Sequence, residues 1–516
     1  MTYGEQMHRR SRPRVVALLA ALGTAAAGSL AAVPLAQATP IDLAVPAAVS
    51  SSGLEAYYSQ ALQWSKCGGE LECSTLLVPI DYASPATGDF RIALTRALAK
   101  GTKVGSIVVN PGGPGASGTD FAEYAQSSLS AAVAKAYDVV GFDPRGVGRS
   151  APVTCLTGRQ TTTWLRADAT PDTAAEISTY ESLAAGIGRG CLAFTPTRAR
   201  NVGSESTVRD LDVLRAALGE RKLNLLGYSY GTYLGALYAH DFPSNVGRFV
   251  LDGAVDPGLD SMQISEGQSR AFQLAMTRFA RTCSRLASCP YDGGTAKVLA
   301  GINDLLARLD KRPMRTDKRE TLTQSQALGA LFWGMYSRDY WPNLRDALNE
   351  AKRGNGTYLL TLSDLSADRT GPNTYGSNQN SAFYAISCWD SPAAPGAAGL
   401  ATAARAWSVK APVPEMARAL AWGNAPCSTW FGHSANAPEP ASSTTDAPIL
   451  VIGTTYDPAT PYPWAVTLAQ QLSTARLLTY VGDGHTAFGN GNACVDGAVN
   501  EYFATGALPA RGLRCS

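Results

Sequence analysis

Residues 223–235 read Leu-Asn-Leu-Leu-Gly-Tyr-Ser-Tyr-Gly-Thr-Tyr-Leu-Gly: an apolar strand, a G-x-S-x-G turn and the start of a helix. A strand-to-helix turn this tight holds Ser229 in strained backbone geometry. It presents the hydroxyl at the sheet's carboxyl edge and the helix N-terminus, and Gly227 and Gly231 leave room for the crossing chain. A serine so placed is a nucleophile that needs a base. The chain has 4 histidines. His8 falls in a basic leader, and His240 lies along the helix that Ser229 starts, about 16 Å away by axial rise. His433 sits near Cys427. His485, in Gly482-Asp483-Gly484-His485-Thr486 just past the last strand-like run, stands where a base is required. A third group must orient that imidazole and stabilise its cation. Asp457, in Thr455-Tyr456-Asp457-Pro458-Ala459-Thr460-Pro461, is the candidate; Asp252, Asp256 and Asp483 are rivals that also read as caps or turn formers.

Acyl transfer through a serine also needs donors for the oxyanion. The backbone N–H of Tyr230 is one. The other comes from the loop Pro111-Gly112-Gly113-Pro114-Gly115, at Gly112 or Gly113, with Gly113 favoured. A phosphate-binding use of this loop fails on chemistry. There is no G-x-x-x-x-G-K-[ST], and Pro111 and Pro114 remove donors that a phosphate cradle would use.

The elements that must position these residues follow from the hydrophobic pattern. Short apolar runs at 75–80, 90–97, 106–110, 138–142, 223–226, 249–252, 449–453 and 477–481 predict strands, interleaved with helical patterns such as 205–218. That alternation predicts an α/β fold with a mostly parallel sheet and helices on both faces. The order Ser, Asp, His is the one expected of an α/β-hydrolase. Between 254 and 446 the pattern turns helical (268–286, 295–309, 324–336), which predicts a large cap inserted before the last strands. The expected division is a signal peptide at 1–38, a short lead or propeptide at 39–53, core at 54–253, cap at 254–446, and core again at 447–516, carrying Asp457 and His485.

Residues 9–14 are basic, an apolar run follows from 15 to about 35, and Ala36-Gln37-Ala38 makes an A-x-A cleavage site. This predicts secretion without a membrane span, since no later stretch reaches 18 uncharged apolar residues. Lys plus Arg is 44 against 42 for Asp plus Glu, and leaving out 1–38 gives 40 against 41. So even a balance offers no electrostatic case for nucleic acid or anionic lipid. Few histidines and no C-x-x-C pair leave the 10 cysteines as disulfides in an oxidising compartment. Spacing alone does not fix their pairing. Sequential pairing is the simplest arrangement: Cys67–Cys73, Cys155–Cys191, Cys283–Cys289, Cys388–Cys427 and Cys494–Cys515. Each bridge would contribute about 2–4 kcal/mol where unstrained.

With these residues in hand, the sequence resembles the prolyl and tripeptidyl aminopeptidases, serine peptidases of the α/β-hydrolase fold, and most closely their secreted actinobacterial branch. The segments that carry the resemblance are NPGGPGASG (110–118), DPRGVGRS (143–150), GYSYGTYLG (227–235), VLDGAVDP (250–257), YDPATP (456–461) and GDGHTAF (482–488). Where prolyl aminopeptidases carry His-Gly-Gly-Pro-Gly, this loop begins Asn110-Pro111. The resemblance implies an exopeptidase that releases short peptides, tripeptides above all, from peptides or proteins with free N-termini. Ser229, His485 and Asp457 would act as triad, with the Tyr230 and Gly113 amides as oxyanion hole and no metal or organic cofactor required. It also implies carboxylates that hold the substrate's α-amine, for which Asp256, Asp260 and Glu266 are candidates. A secreted carboxylesterase or lipase with the same triad is the alternative.

Overall fold

The computed structural model describes residues 53–434 and 438–516. The expected signal peptide, and the expected lead up to residue 52, lie outside the described residues. The strands are β1 (Ser65–Gly68), β2 (Leu71–Pro79), β3 (Asp89–Ala97), β4 (Gly105–Asn110), β5 (Tyr137–Phe142), β6 (Leu223–Tyr228), β7 (Val246–Asp252), β8 (Arg369–Gly371), β9 (Thr374–Tyr375), β10 (Ile449–Tyr456), β11 (Ala475–Asp483) and β12 (Arg514–Cys515). Ten of them form one sheet in the order β1-β2-β3-β5-β4-β6-β7-β10-β11-β12. It is antiparallel from β1 through β3 to β5 and parallel from β5 onward. This is the α/β-hydrolase architecture.

The central strands read as unbroken apolar runs because both faces of the sheet are covered. Alternate residues feed two cores: Val108, Leu225, Phe249 and Val451 on one side, Val109, Leu226, Val250 and Ile452 on the other. Strand order reverses at β4, which sends the chain to β5 on one side and then to β6 on the other. Ligands of open α/β sheets bind at such a reversal, beyond the carboxyl ends of the strands. The four segments singled out in the sequence all leave carboxyl ends of this region: the Gly-rich loop after β4, Ser229 after β6, Asp457 after β10 and His485 after β11.

The insertion has two parts. Helices Ser261–Cys283, Thr295–Lys311, Gln324–Met335, Trp341–Lys352 and Thr357–Ser366 share a core of their own, with Phe272, Leu305, Leu328, Leu344 and Leu360 inside it. Helices Gln379–Asp390 and Ala397–Ser408 pack on the main core instead. They do so with the helices Gly158–Arg166 and Ala174–Phe194, which lie between β5 and β6 and have no counterpart in the sequence reading. The first cap helix starts at Ser261 rather than 268, because Asp260 caps it. Its carboxylate accepts the Gln263 N–H at 2.8 Å, and Gln263 Oε1 accepts the Asp260 N–H at 3.0 Å. The edge strands β1 and β12 and the small hairpin β8–β9 are also additions, too short to show any period. Five disulfides join Cys67–Cys73, Cys155–Cys191, Cys283–Cys289, Cys388–Cys427 and Cys494–Cys515, in sequential order.

Candidate active site

Ser229 has φ 53° and ψ −120°, a left-handed conformation that costs on the order of 1–3 kcal/mol for a non-glycine residue. The turn survives because its flanks have no side chains. A Cβ on Gly227 would lie 2.4 Å from the Gly231 carbonyl oxygen, and one on Gly231 would lie 2.9 Å from the Asn110 oxygen. The Ser229 N–H donates to the Asp252 carbonyl at 2.9 Å, tying the turn to β7. Tyr230 opens the helix Tyr230–Asp241, so its amide has no partner four residues back. In the facing loop the Gly112 N–H donates to Asn110 Oδ1 at 3.0 Å. Gly112 is thereby occupied, and Gly113 is the amide left beside Ser229, on the border of both cavities described below.

His485 Nδ1 lies 2.9 Å from both oxygens of Asp457, whose side chain is fully buried. That carboxylate is held by the N–H groups of Ala459 (2.9 Å) and Thr460 (2.8 Å) and by the Thr460 hydroxyl (3.0 Å). Thr460 Oγ1 is also 3.3 Å from Nδ1. Burial alone would lower the imidazole pKa. The charge and hydrogen bond of Asp457, with Asp252 behind, outweigh that and hold it above the ordinary value. Nδ1 is thus committed and Nε2 is left for chemistry. Ser229 and His485 face the same cavity without a hydrogen bond between them; such bonds commonly tighten only once substrate is held.

The rival acids have other partners. Asp252 accepts the N–H groups of Ala487 (2.9 Å) and Phe488 (2.7 Å), bracing the loop behind His485 without touching its ring. Burial pushes its carboxyl up to about 7 against those bonds. Asp483 pairs with Arg278. Two histidines are structural: His240 Nδ1 is 2.7 Å from the Ser442 carbonyl, and His433 Nδ1 is 3.0 and 2.7 Å from the carbonyls of Cys388 and Ser391.

Two cavities meet at Ser229 and share Gly113, Trp333, Tyr336, Ser366 and Phe383 in their walls. The one on the His485 side measures about 740 Å³ and also takes in Arg278 and Asp483. The other, about 430 Å³, runs under the cap past Tyr230, Phe272, Phe332 and Leu420 to Asp256 and Asp390. Of the three expected amine-binding carboxylates only Asp256 lines it. Asp260 is spent as the helix cap described above. Glu266 faces solvent in an ion pair with Arg270, as an i,i+4 helix neighbour. Asp256 Oδ1 accepts from Gln471 Nε2 (2.9 Å) and the Gly258 N–H (3.1 Å).

Asp390 is the residue the sequence reading missed. It ends the helix Gln379–Asp390, which the Cys388–Cys427 bridge anchors, and its partners are the Ser204 amide (2.9 Å) and hydroxyl (2.5 Å). That hydroxyl also meets Tyr230 Oη at 2.5 Å. No cation among the described residues pairs with Asp390. Burial pushes its pKa up to about 6, and the two Ser204 bonds offset that only in part.

Comparison with known proteins agrees with this geometry. Serine protease Hip1 of Mycobacterium tuberculosis is 35% identical over 478 residues, covering 88% of this chain and 91% of its own. The chain belongs to the tripeptidyl-aminopeptidase-like family of α/β-hydrolases. Members named tripeptidyl aminopeptidase (Streptomyces coelicolor, 31% identical over 88% of this chain and 86% of theirs) and carboxylesterase B (Mycobacterium tuberculosis, 35% over 98% and 99%) match as well. The family described as TAP-like protein matches residues 411–515, the stretch that holds Asp457 and His485. Among solved structures, a proline iminopeptidase of Mycobacterium smegmatis aligns with 83% of this chain and 97% of its own at 14% identity and a TM-score of 0.37, too loose to bear on the site.

Proposed function

We propose that this hydrolase is an exported serine exopeptidase that removes short peptides, tripeptides above all, from free N-termini. Ser229 Oγ attacks the scissile carbonyl while His485 Nε2 takes its proton, Asp457 holds the imidazolium, and the amides of Tyr230 and Gly113 bind the oxyanion. His485 then protonates the leaving amine, and water releases the acyl-enzyme.

The observation that carries the reading is the carboxylate of Asp390, which lines the smaller cavity and has no cation beside it among the described residues. The leaving amine departs on the His485 side, so the acyl half of the substrate occupies the smaller cavity. A peptide's acyl half ends in an ammonium, and a buried carboxylate without a cation is the partner that charge requires. The volume suits a short segment rather than a chain passing through. Two carboxylates in that cavity favour a peptide over an ester of an apolar acid, although a relative named carboxylesterase B shares the fold. Five disulfides support export. No helix among the described residues is long and apolar enough to cross a membrane.

The test compares free and N-acetylated tripeptide nitroanilides with short-chain nitrophenyl esters. Acetylation should abolish peptide cleavage; equal turnover of the acetylated peptide, or activity on esters alone, would sink the reading. Asp390→Asn should raise KM for the free tripeptide on the order of 100-fold, the cost of removing one member of a buried charge pair. The same variant should leave short-ester hydrolysis near wild type, which steady-state kinetics on both substrates would check.

The pH dependence follows from the base. His485 must be neutral to accept a proton, and its pKa is raised. So kcat/KM should fall toward acid through an apparent pKa above the unperturbed imidazole value of about 6.5. In Asp457→Asn, which removes the charge that raises it, that limb should move to lower pH; an unmoved limb would mean that another group controls it.

A further inference from the structure

The cap reaches past the cavity roof to the loops that carry Asp457 and His485. Arg278, on the cap helix Ser261–Cys283, grips Asp483 with a two-point fork: Nε donates to Oδ1, and Nη2 to Oδ2 at 3.0 Å. The Asp483 side chain is 6% exposed and stands two residues before His485. The same guanidinium lies 3.5 Å over the ring of Tyr456, the residue before Asp457. Nearby, the cap carbonyl of Tyr336 accepts the backbone N–H of His485 at 2.8 Å, and the Tyr336 ring stands edge-on to the imidazole with centroids 5.4 Å apart. Neither Arg278 nor Asp483 bonds to Ser229 or to the imidazole; they hold the backbone that aims them.

We propose that Arg278 is a positioning residue, through which the seating of the cap sets the alignment of His485 and Asp457. The cap then does more than select substrates: it is a structural member of the catalytic centre. This rests on the triad reading above. The physical ground is that a bidentate guanidinium–carboxylate pair, here on a buried carboxylate, is directional as well as strong. Its removal leaves Asp483 with only Arg338, whose Nη1 stands 3.8 Å from Oδ2 without the two-point geometry, and misplacement of a catalytic group by about 1 Å costs on the order of 100-fold in rate.

The experiment uses the mature protein and p-nitrophenyl acetate, a substrate too small to span the cavity to the far cap helices. Arg278→Gln should lower kcat for this ester roughly 10- to 100-fold, with KM little changed and the far-ultraviolet spectrum that of the wild type. Arg278→Lys, which keeps the charge and loses the fork, should recover part of the loss. If Arg278→Gln fails to fold, Arg278→Lys decides alone, by a lowered or an unchanged kcat. Wild-type kcat on the ester, with only the KM for tripeptide nitroanilides altered, would reduce the cap to a filter and overturn the clasp. An ester signal that survives Ser229→Ala overturns the triad reading and the clasp with it, so the two failures are distinguishable.

Discussion

Ser229→Ala should leave a folded protein whose kcat on tripeptide nitroanilides and on short esters falls by roughly five to six orders of magnitude. The size of the effect follows from the turn. The strained backbone at Ser229 is kept by glycines on either side and by the Asp252 carbonyl, none of which needs the hydroxyl. Alanine should therefore be tolerated in the fold, leaving only the oxyanion-hole amides and the cavity to act on substrate. Circular dichroism and a thermal melt would establish the fold, and progress curves at high enzyme concentration the residual rate. Rates like those of the wild type would remove Ser229 from the mechanism.

Asp457→Asn should be nearly as damaging, about 10⁴-fold in kcat with a much smaller change in KM. The carboxylate meets His485 Nδ1 through both oxygens and is held from behind by two backbone amides and the Thr460 hydroxyl. An asparagine amide turned toward the ring would present a donor where Nδ1–H needs an acceptor, and it would favour the tautomer that cannot take a proton from serine. Asp252→Asn gives the comparison. That carboxylate bonds only to backbone behind the ring, so its loss should cost far less. Equal losses in the two variants, from parallel kcat and KM measurements, would contradict the assignment of Asp457 as the acid.

What could be read from the sequence was what lies at strand ends. Ser229, Asp457, His485 and the Gly-rich loop each follow an apolar run at once, so a local pattern marks both the element and the residue it delivers. Asn110 lay inside a quoted motif, yet its hydrogen bond to Gly112, which leaves Gly113 as the remaining amide, shows only in three dimensions. Asp390 had no signature. It reaches the cavity because a disulfide, His433 and the main core seat the helix that ends in it. Asp260 and Glu266 looked equally eligible, but one lies at a helix start with Gln263 three residues on, and the other one helical turn before Arg270. Both local patterns predict the partners found. The helices Gly158–Arg166 and Ala174–Phe194 have no comparable local signal, because their apolar faces pair with cap helices far along the chain.

In the proposed mechanism one serine attacks a substrate whose free amine is held in the smaller cavity. A tripeptide diphenyl phosphonate with a free N-terminus, incubated with the mature protein and followed by peptide mass spectrometry, tests both halves at once. A single adduct on Ser229 is expected, formed on the order of 100-fold faster than with the N-acetylated phosphonate. An adduct on another residue, or equal rates for the two phosphonates, would contradict it.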